Sequence, residues 1–368
     1  MSRFRKEFLL KQHTPIIHFQ SDQSGATLRA TELKPKFDRF LIEIFEKEQI
    51  DYKDFLILGQ ERALDYKVKI EPNMSLSTTI DGRSPLFFGN MGDGKDKEFK
   101  ENKESFKISF SSFNIKLKEY IEQYFEAFLA NTNFGTRQSK GFGSFYIDGK
   151  SFDKNLVKHK VYSFSSSKGH WDRDIKLFYS FLRQGINLPN RNGTRFYAKP
   201  AIFLYAKERG WEWDKKAIKE HFFPSDLVTQ QKKYSDNSPI NYSSNNKKLL
   251  RDLFGLSTEQ LWMSYSATVK QEHDDIERFK SPITFKVVEN MVYFWADNSY
   301  KDILGEEFKI ITKGNSPLTL STPTDFDFND FFKFIKTINL SQVVESKYQS
   351  ENEYRTLNKI LQNLKVQR

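Results

Sequence analysis

The chain has 368 residues, which is enough for two or three domains of ordinary size. It carries 58 Lys and Arg against 48 Asp and Glu, a net charge of +10 that favours a polyanionic partner. The absence of cysteine excludes disulfides and thiolate metal sites, and the six histidines show no metal-binding spacing, so we predict no metal and no cofactor. There is no apolar run of membrane-spanning length and no signal-peptide core, which predicts a cytoplasmic location.

The first 150 residues alternate between strand and helix patterns. The predicted elements are a strand in 4–19 with a break at Thr14-Pro15, a helix through Phe37–Phe45 with Thr31 as its cap and Pro35 in its first turn, short strands at 55–58 and 66–70, a charged loop at 89–103, a strand at 106–110, a helix at 117–130 and a strand at 144–147. This order predicts a ferredoxin-like βαββαβ domain over residues 1–150, with both helices on one face of its sheet.

The remaining residues, 151–368, predict a second and more diverged domain of the same α+β class. Its patterns are a strand at 161–164, a helical insertion at about 172–223 with a break at Gly210, a polar linker at about 224–246, a strand pair within 281–297 and a helix at 328–338. The predicted fold class is therefore α+β, with one ferredoxin-like unit followed by a second ferredoxin-like and partly helical unit.

The residues between the second helix and the next strand, NTNFGTRQSKGFGSFYI at 131–147, are the most distinctive stretch. Glycines permit close approach to the backbone, and exposed amides beside Arg and Lys form an anion-binding concavity. A flexible connecting loop with turn glycines is the alternative. It is neither a Walker loop nor a dinucleotide loop, because it lacks Gly-Lys-Ser/Thr and follows its helix. Residues 131–200 hold 13 Lys and Arg against 4 Asp, so their net charge is 13 − 4 = +9.

Three motifs resemble the RAMP superfamily of CRISPR-associated RNA-binding proteins. They are Thr14-Pro15 followed by LRATELKPKFDRFL, the glycine-rich RQSKGFGSF, and DLFGLS followed by IERFKSPITF. The spacing of the first two is most similar to the capping subunit of type III-B (Cmr) effector complexes. The resemblance implies a non-catalytic subunit in antiviral defence that caps the complex and holds the 3′ part of the guide RNA or the target RNA. Its partners would be guide RNA (crRNA), target RNA and other RAMP subunits, with no membrane.

A single-stranded RNA site requires cations for phosphates and flat groups for bases. Phe142 either stacks on a base or anchors the loop, and Trp171 either stacks on a base or packs in the core. For Lys36 we expect a solvated helix face. The predicted RNA-binding residues are Arg29, Lys34 and Arg39 at the first helix, Asn133, Arg137, Gln138, Lys140, Gly141, Phe142 and Gly143 in the loop, and Lys168, His170, Trp171, Arg173 and Arg191 after it.

The alternative function is a metal-independent endoribonuclease that processes CRISPR repeats. Such an enzyme needs a base near the 2′-hydroxyl, and the candidates are His13, His18 and His170, with Asp22 in the loop after the first strand. None of these histidines stands beside an evident acid partner, and a lone loop aspartate is usually a turn residue. We therefore predict that the chain is not an enzyme. A free-standing enzyme unrelated to CRISPR is a third and more distant alternative.

Overall fold

The protein is described from a computed structural model that covers residues 3–17, 28–71, 76–79, 98–167, 169–190, 193–224, 246–256, 259–262 and 265–367. The chain divides into two compact units. Unit 1 comprises Met1–Ile175, Thr284–Trp295 and Lys365–Arg368, and unit 2 comprises Lys176–Ile283 and Ala296–Leu364. Each unit collects segments that are distant in sequence, so its limits differ from the sequence domains 1–150 and 151–368, which stay a prediction.

The first 150 residues form the predicted ferredoxin-like βαββαβ arrangement, with an added two-stranded hairpin. Four strands form an antiparallel sheet, in which the second and third of these four strands along the chain are followed by the first and the fourth. The elements are β1 (Arg5–Gln12), α1 (Ala30–Lys47), β2 (Lys67–Glu71), β3 (Leu76–Thr79), β4 (Glu98–Glu101), β5 (Phe106–Ser111), α2 (Ile115–Asn131) and β6 (Phe145–Ile147), and the sheet order is β2–β5–β1–β6.

Phenylalanine rings form the core beneath this sheet. Phe37 of α1 is fully buried, and its ring centroid lies 4.8 Å from that of Phe128 and 5.4 Å from that of Phe125, both on α2. The same ring lies 5.7 Å from Phe110 of β5. These pairs meet at tilted and edge-to-face angles, which the charge distribution of aromatic rings favours. The ring of Phe37 therefore joins both helices to the sheet.

The chain after residue 150 contains a second sheet and two long insertions. Its elements are β7 (Val161–Ser165), α3 (Trp171–Arg183), β8 (Ile186–Asn190), β9 (Gly193–Ala198), α4 (Ala201–Glu208), β10 (Glu212–Trp213), α5 (Asp214–Phe222), β11 (Lys247–Lys248), β12 (Glu259–Trp262), β13 (Ala267–Glu272), β14 (Ile283–Val288), β15 (Met291–Ala296), β16 (Glu307–Ile311), β17 (Leu318–Ser321), α6 (Phe328–Thr337), α7 (Leu340–Val343), α8 (Asn352–Gln362) and β18 (Lys365–Gln367).

The second sheet repeats the topology of the first. Its strand order is β14–β15–β7–β18, and along the chain β7 is followed by α3, β14, β15, α8 and β18. This is again βαββαβ with the first and third strands at the centre, so the predicted second ferredoxin-like unit is confirmed. The insertions follow α3 and β15.

The two insertions supply the strands of a third sheet, which lies in unit 2. This six-stranded sheet has the order β10–β11–β17–β16–β13–β12. The expected helical segment at 172–223 does contain α3, α4 and α5, with the break at Gly210, but it also contains the hairpin of β8 and β9. Residues 225–245 of the predicted polar linker lie outside the described residues.

The start of α1 differs from the prediction. The helix begins at Ala30 with Arg29 at its N-cap, so Thr31 is not the cap and Pro35 stands in the second turn. Proline at that position removes one intrahelical hydrogen bond. The buried apolar face of α1 compensates for this loss, and periodicity alone does not show which residue begins the helix.

Two other segments were also assigned wrongly. The segment 55–58 was predicted as a strand, but it contains the end of the 3₁₀ helix Lys53–Phe55 and the residues just after it. Only Phe55 of this apolar run is buried. Within the loop expected at 89–103, Glu98–Glu101 is a strand that pairs with β3, and residues 89–97 lie outside the described residues. Residues 98–101 form a strand because their backbone pairs with β3, a segment about 20 residues earlier in the chain.

We expect Phe37→Ala to lower the free energy of unfolding of unit 1 by about 3–5 kcal/mol, because the loss of this buried phenylalanine leaves a cavity among four other aromatic rings. Leu58→Ala is the control, since Leu58 is 99% exposed and its truncation should change the same quantity by less than about 0.5 kcal/mol. Urea denaturation followed by fluorescence measures both. Equal effects of the two substitutions would contradict this account of the core.

Candidate nucleic-acid interface

The glycine loop, which we define as residues 132–144 between α2 and β6, is braced against the segment that follows β1. The hydroxyl of Thr14 donates to the carbonyl oxygen of Gly141 at 2.7 Å and accepts from the N–H of Ser144 at 2.9 Å. The N–H of Gly143 donates to the carbonyl oxygen of Pro15 at 2.8 Å. Thr14 is fully buried. The Thr14-Pro15 motif and the glycine-rich motif of the sequence are therefore hydrogen-bonded to each other in the structure.

Two glycines of the loop are required by close contact between backbone segments. Gly143 has a φ of +65°, and a Cβ atom there would lie 1.9 Å from the carbonyl oxygen of Phe134. Gly135 has a φ of +79°, and its Cβ atom would lie 2.6 Å from the carbonyl oxygen of Ile17. Both positions exclude any side chain. Packing against the protein itself thus explains these glycines, and the loop is not a loose connection.

A buried lysine of β14 joins the two ends of the loop. The Nζ atom of Lys286 donates to the carbonyl oxygens of Thr132 at 2.9 Å and Phe145 at 3.2 Å, and to Oδ1 of Asn133 at 3.2 Å. Its side chain is completely inaccessible, and burial lowers the pKa of Lys286 from its usual 10.5 to about 7. The lysine therefore forms hydrogen bonds at a cost in desolvation.

Asn133 and Lys140 are also committed to this packing. The Nδ2 atom of Asn133 donates to the carbonyl oxygens of Gln138 at 2.7 Å and Phe285 at 2.8 Å. Lys140 is only 8% exposed and forms an isolated β-bridge with Phe285 of β14. These two predicted RNA-binding residues thus hold the loop to the second sheet, and they offer little surface to a ligand.

Helix α1 contacts the loop through residues other than those singled out in the sequence. Glu32 accepts from the N–H of Gly135 at 2.7 Å, and Lys36 donates to Oε1 of Gln138 at 2.9 Å. Lys36 was expected on a solvated face, and this expectation is wrong. Lys34 lies instead against Asp38, whose carboxylate is 2.7 Å from its Nζ atom.

Phe142 and Trp171 pack together, which decides between their alternatives. Phe142 is 1% exposed, and its ring centroid lies 5.0 Å from that of Trp171 in an edge-to-face pair. Gly141 lies beside this pair, because a Cβ atom there would be 3.3 Å from Trp171. Phe142 anchors the loop at the start of α3, and the partly buried Trp171 is part of the same packing.

The predicted RNA-binding residues that stay accessible are mostly cationic. Arg137 has a φ of +56° and is half-buried, while Gln138 is exposed. Arg39 on α1, and His170 and Arg173 at the start of α3, are exposed. Because the loop contacts the first turns of both α1 and α3, the positive ends of two helix dipoles border it.

Arg29, Lys168 and Arg191 are the remaining predicted RNA-binding residues. Arg29 at the N-cap of α1 is partly buried, and its Nη2 atom has no hydrogen-bond partner among the residues that the structure describes. Lys168 and Arg191 lie outside the described residues, as do His18 and Asp22. The structure therefore brings the loop residues together with the starts of α1 and α3, where Arg29, His170 and Arg173 lie.

His13, a candidate base for RNA cleavage, lies in a cleft of about 450 Å³ that Lys11, Lys150 and Tyr293 also line. Its Nδ1 atom accepts from the N–H of Glu289 at 3.1 Å. Burial, with the nearby charge of Lys286, lowers the pKa of His13 to about 4. A neutral ring that accepts at Nδ1 carries its proton at Nε2, so neither nitrogen of His13 is ready to take a proton.

Models of two protein-family domains match nearly the whole chain. The Cmr1 N-terminal domain matches residues 3–186, and the Cmr1 C-terminal domain matches residues 197–365. The chain belongs to the Cmr1 family. This confirms the identification with a Cmr1-like type III-B subunit of the RAMP superfamily, and the N-terminal domain model includes both β1 and the glycine loop.

Two solved structures are distantly similar to this Cmr1-family chain. The crystal structure of Cmr1 from Pyrococcus furiosus in its apo form is 11% identical with a TM-score of 0.39, over 80% of this chain and 89% of that one. A chain in the cryo-EM structure of the type III-B Cmr-beta complex bound to cognate target RNA is 13% identical with a TM-score of 0.26, over 39% of this chain and 58% of that one. No curated protein sequence matches.

None of the helices within the described residues is long and apolar enough to cross a membrane. No group of three or more His, Asp or Glu side chains in that part of the chain is arranged to hold a metal ion.

Sequence reasoning missed Lys286 and Glu32, which fix the loop from outside its own sequence. A signal for Lys286 was present, because it interrupts the apolar strand ITFKVV. A charged residue in the middle of a buried strand needs partners, and here they are oxygens of the glycine loop. No comparable signal marked Glu32, since an acidic residue in a first helical turn is ordinary.

We expect Gly143→Ala to lower the free energy of unfolding of unit 1 by about 3 kcal/mol or more, because both the positive φ and the carbonyl oxygen of Phe134 oppose a Cβ atom. Gly149→Ala is the matched control. Gly149 has a φ of +74° but nothing within 4 Å of the added Cβ atom, so only about 1 kcal/mol should be lost. Thermal and urea denaturation measure the difference. Equal losses would show that close backbone packing does not explain Gly143.

Lys286 should make the stability of unit 1 depend on pH. The unfolded chain holds this proton up to about pH 10.5 and the folded chain only to about pH 7, so the lysine's contribution to stability rises with pH between these values. From pH 7 to 9 the rise is at most about 3 kcal/mol. We expect Lys286→Met to remove it, as measured by urea denaturation at pH 7, 8 and 9. The exposed Lys116→Met is the control, and an unchanged pH slope in Lys286→Met would contradict the assignment.

Proposed function

We propose that this chain is a non-catalytic RNA-binding subunit of a type III-B effector complex in the cytoplasm, where it serves antiviral defence. The observation that carries the proposal is the glycine loop of the Cmr1 N-terminal domain. Its backbone is fixed by Thr14, Pro15 and Lys286, while Arg137 and Gln138 remain at the surface. A rigid loop with accessible cationic and amide groups loses little conformational entropy when it binds a phosphate backbone.

Charge supports the same proposal. Residues 131–200 carry a net charge of +9 in the sequence, and two of their cations, Arg137 in the loop and the exposed Arg173 at the start of α3, lie in unit 1. Cations that neutralise phosphates release counterions, which makes binding dependent on salt and largely independent of sequence. We propose that the loop contacts the 3′ part of the guide RNA or the target RNA, at the end of a complex capped by this subunit. Other RAMP subunits would be its protein partners.

The arrangement at His13 supports a non-catalytic role. A general base in RNA cleavage needs a nitrogen with an available lone pair and a pKa near the working pH. His13 meets neither requirement, because its Nδ1 atom accepts from a backbone N–H and its pKa is lowered to about 4. His170 is exposed, and no carboxylate in the described part of the chain lies within ion-pair distance of it. No specific observation favours the endoribonuclease alternative.

We expect Arg137→Ala to weaken binding of single-stranded RNA by about 5- to 10-fold for all sequences alike, because a phosphate contact is lost. The slope of the logarithm of affinity against the logarithm of salt concentration should fall by about 1. Fluorescence anisotropy with labelled 20-nucleotide RNAs of several sequences measures both. Arg355→Ala, an exposed arginine on α8, is the control of equal charge change.

Unchanged affinity and salt slope in Arg137→Ala would remove the glycine loop from the RNA site. The subunit assignment is tested separately by purifying the tagged chain from cells that express its surrounding operon. Several RAMP subunits with a discrete guide RNA are the expected result, whereas the chain alone with cleaved repeat RNA would favour the endoribonuclease.

A further inference from the structure

Unit 2 contains a cationic cavity that is separate from the glycine loop. It has a volume of about 330 Å³ and lies among α5, β12 and the 3₁₀ helix Arg251–Phe254. Its lining consists of three cations, two aromatic rings, one amide and one leucine, namely Lys215, Lys219, Arg251, Gln260, Leu261, Trp262 and Tyr265. We call it the unit 2 pocket. No sequence motif pointed to it, because its cations come from elements that are about 35 residues apart in the chain.

Aromatic rings position the three cations. The Nζ atom of Lys215 lies 5.9 Å from the ring centroid of Trp262, and the guanidinium carbon of Arg251 lies 5.8 Å from the same ring. The Nζ atom of Lys219 lies 5.6 Å from the ring of Tyr265. Cation–π attraction of this kind holds the positive groups in place without neutralising them. The rings themselves are fixed, since Tyr265 stacks on Phe223 at 4.2 Å.

The carboxylates nearby do not balance these cations. Asp214 is completely buried, and its Oδ2 atom lies 2.7 Å from Nε of Arg251. Asp252 is also buried, and burial together with Asp214 raises its pKa to about 6. The three cations that line the pocket thus adjoin two buried carboxylates, which leaves a surplus of one positive charge among these five groups.

Two observations, at Arg251 and at Lys215, favour an anion in the pocket. The Nη2 atom of Arg251 is buried and has no hydrogen-bond partner in the described part of the chain. A buried donor without a partner is costly, and an anionic oxygen would satisfy it. Lys215 is exposed at the pocket, and desolvation by the groups packed around its amine, followed by the charges of Arg251 and Lys219, lowers the pKa of Lys215. An anion in the pocket would relieve this repulsion.

We propose that the unit 2 pocket binds a phosphate group of the RNA strand, with Lys215, Lys219 and Arg251 as its ligands. The proposal rests on the proposed RNA-binding function and adds a second contact to it. Leu261, which is 64% exposed, and the partly exposed Tyr265 stand at the pocket and offer apolar surface to the adjoining ribose or base. Trp262 is 8% exposed and serves as the floor beneath the cations.

The main test compares two double variants of the full chain. Lys215→Met with Lys219→Met removes two of the three ligands and keeps the side-chain length. Lys207→Met with Lys336→Met, two exposed helix lysines of unit 2, makes the same change in net charge away from the pocket. We expect the pocket variant to bind a fluorescein-labelled decauridylate at least about 10-fold more weakly than the control variant, with a salt slope lower by about 2. Equal affinities would overturn the proposal.

A second measurement does not depend on the folding of any variant. The unmodified chain is cross-linked to a decauridylate that contains 4-thiouridine, and the cross-linked peptides are identified by mass spectrometry. Cross-links at Leu261, Trp262 or Tyr265 support the pocket. Cross-links confined to unit 1 overturn it, and they leave the glycine loop as the only RNA contact.

Competition distinguishes the source of the phosphate. We expect unlabelled decauridylate to displace the probe at far lower concentration than inorganic phosphate or uridine monophosphate, because the strand also contacts the pocket rim. Displacement by uridine monophosphate or by a polyglutamate peptide as readily as by the decauridylate would overturn the RNA assignment. Arg137→Ala distinguishes this proposal from the proposed role of the glycine loop. If Arg137→Ala leaves RNA affinity unchanged while Lys215→Met with Lys219→Met still lowers it, the glycine loop is not an RNA contact and the unit 2 pocket is.

Discussion

The hydrogen bonds of Lys286 are the interaction on which unit 1 depends. This ammonium group stands in an apolar strand of the second sheet and reaches both ends of a loop that belongs to the first. Taking the charge out of water is unfavourable, which is why its pKa falls to about 7. The oxygens of Thr132, Asn133 and Phe145 offset that cost only when the loop has its observed conformation. The lysine thus makes one conformation of the loop more stable than its alternatives.

This constraint gives the glycine loop a different character from the one its composition suggests. Gly135 and Gly143 permit the loop backbone to lie against other backbone segments, and Phe142 holds the loop to the start of α3. Different residues of the loop therefore pack against the protein and remain accessible to a ligand. Asn133, Lys140 and Phe142 face inward, whereas Arg137 and Gln138 stay accessible. A fixed backbone that presents a few accessible side chains suits recognition of a phosphate chain, whose repeating charges require position more than sequence.

The second βαββαβ order shows how a small fold accommodates large additions. Its four strands come from three distant parts of the chain, because insertions follow α3 and β15. These insertions supply the strands of the six-stranded sheet of unit 2, so they bury a core of their own instead of forming long loops. The unit 2 pocket is built entirely within them. A domain of this kind adds a charged cavity without changing the strand order of the sheet into which it is inserted.

Local sequence determined most of the regular structure of the first 150 residues. Alternation at Phe106, Ile108 and Phe110 gave a strand, and helical spacing through Phe37 and Phe45 gave α1, because these periods are fixed by the backbone geometry of a single element. The motifs around Thr14-Pro15 and RQSKGFGSF were also enough to identify the family. Only the tertiary structure decided which of these residues remain accessible. Lys34 and Lys36 are two positions apart on one helix and point in different directions, and the loop lies beside the second of them. Likewise, no local pattern unites Lys215 and Lys219 with Arg251, because their proximity depends on how distant segments pack.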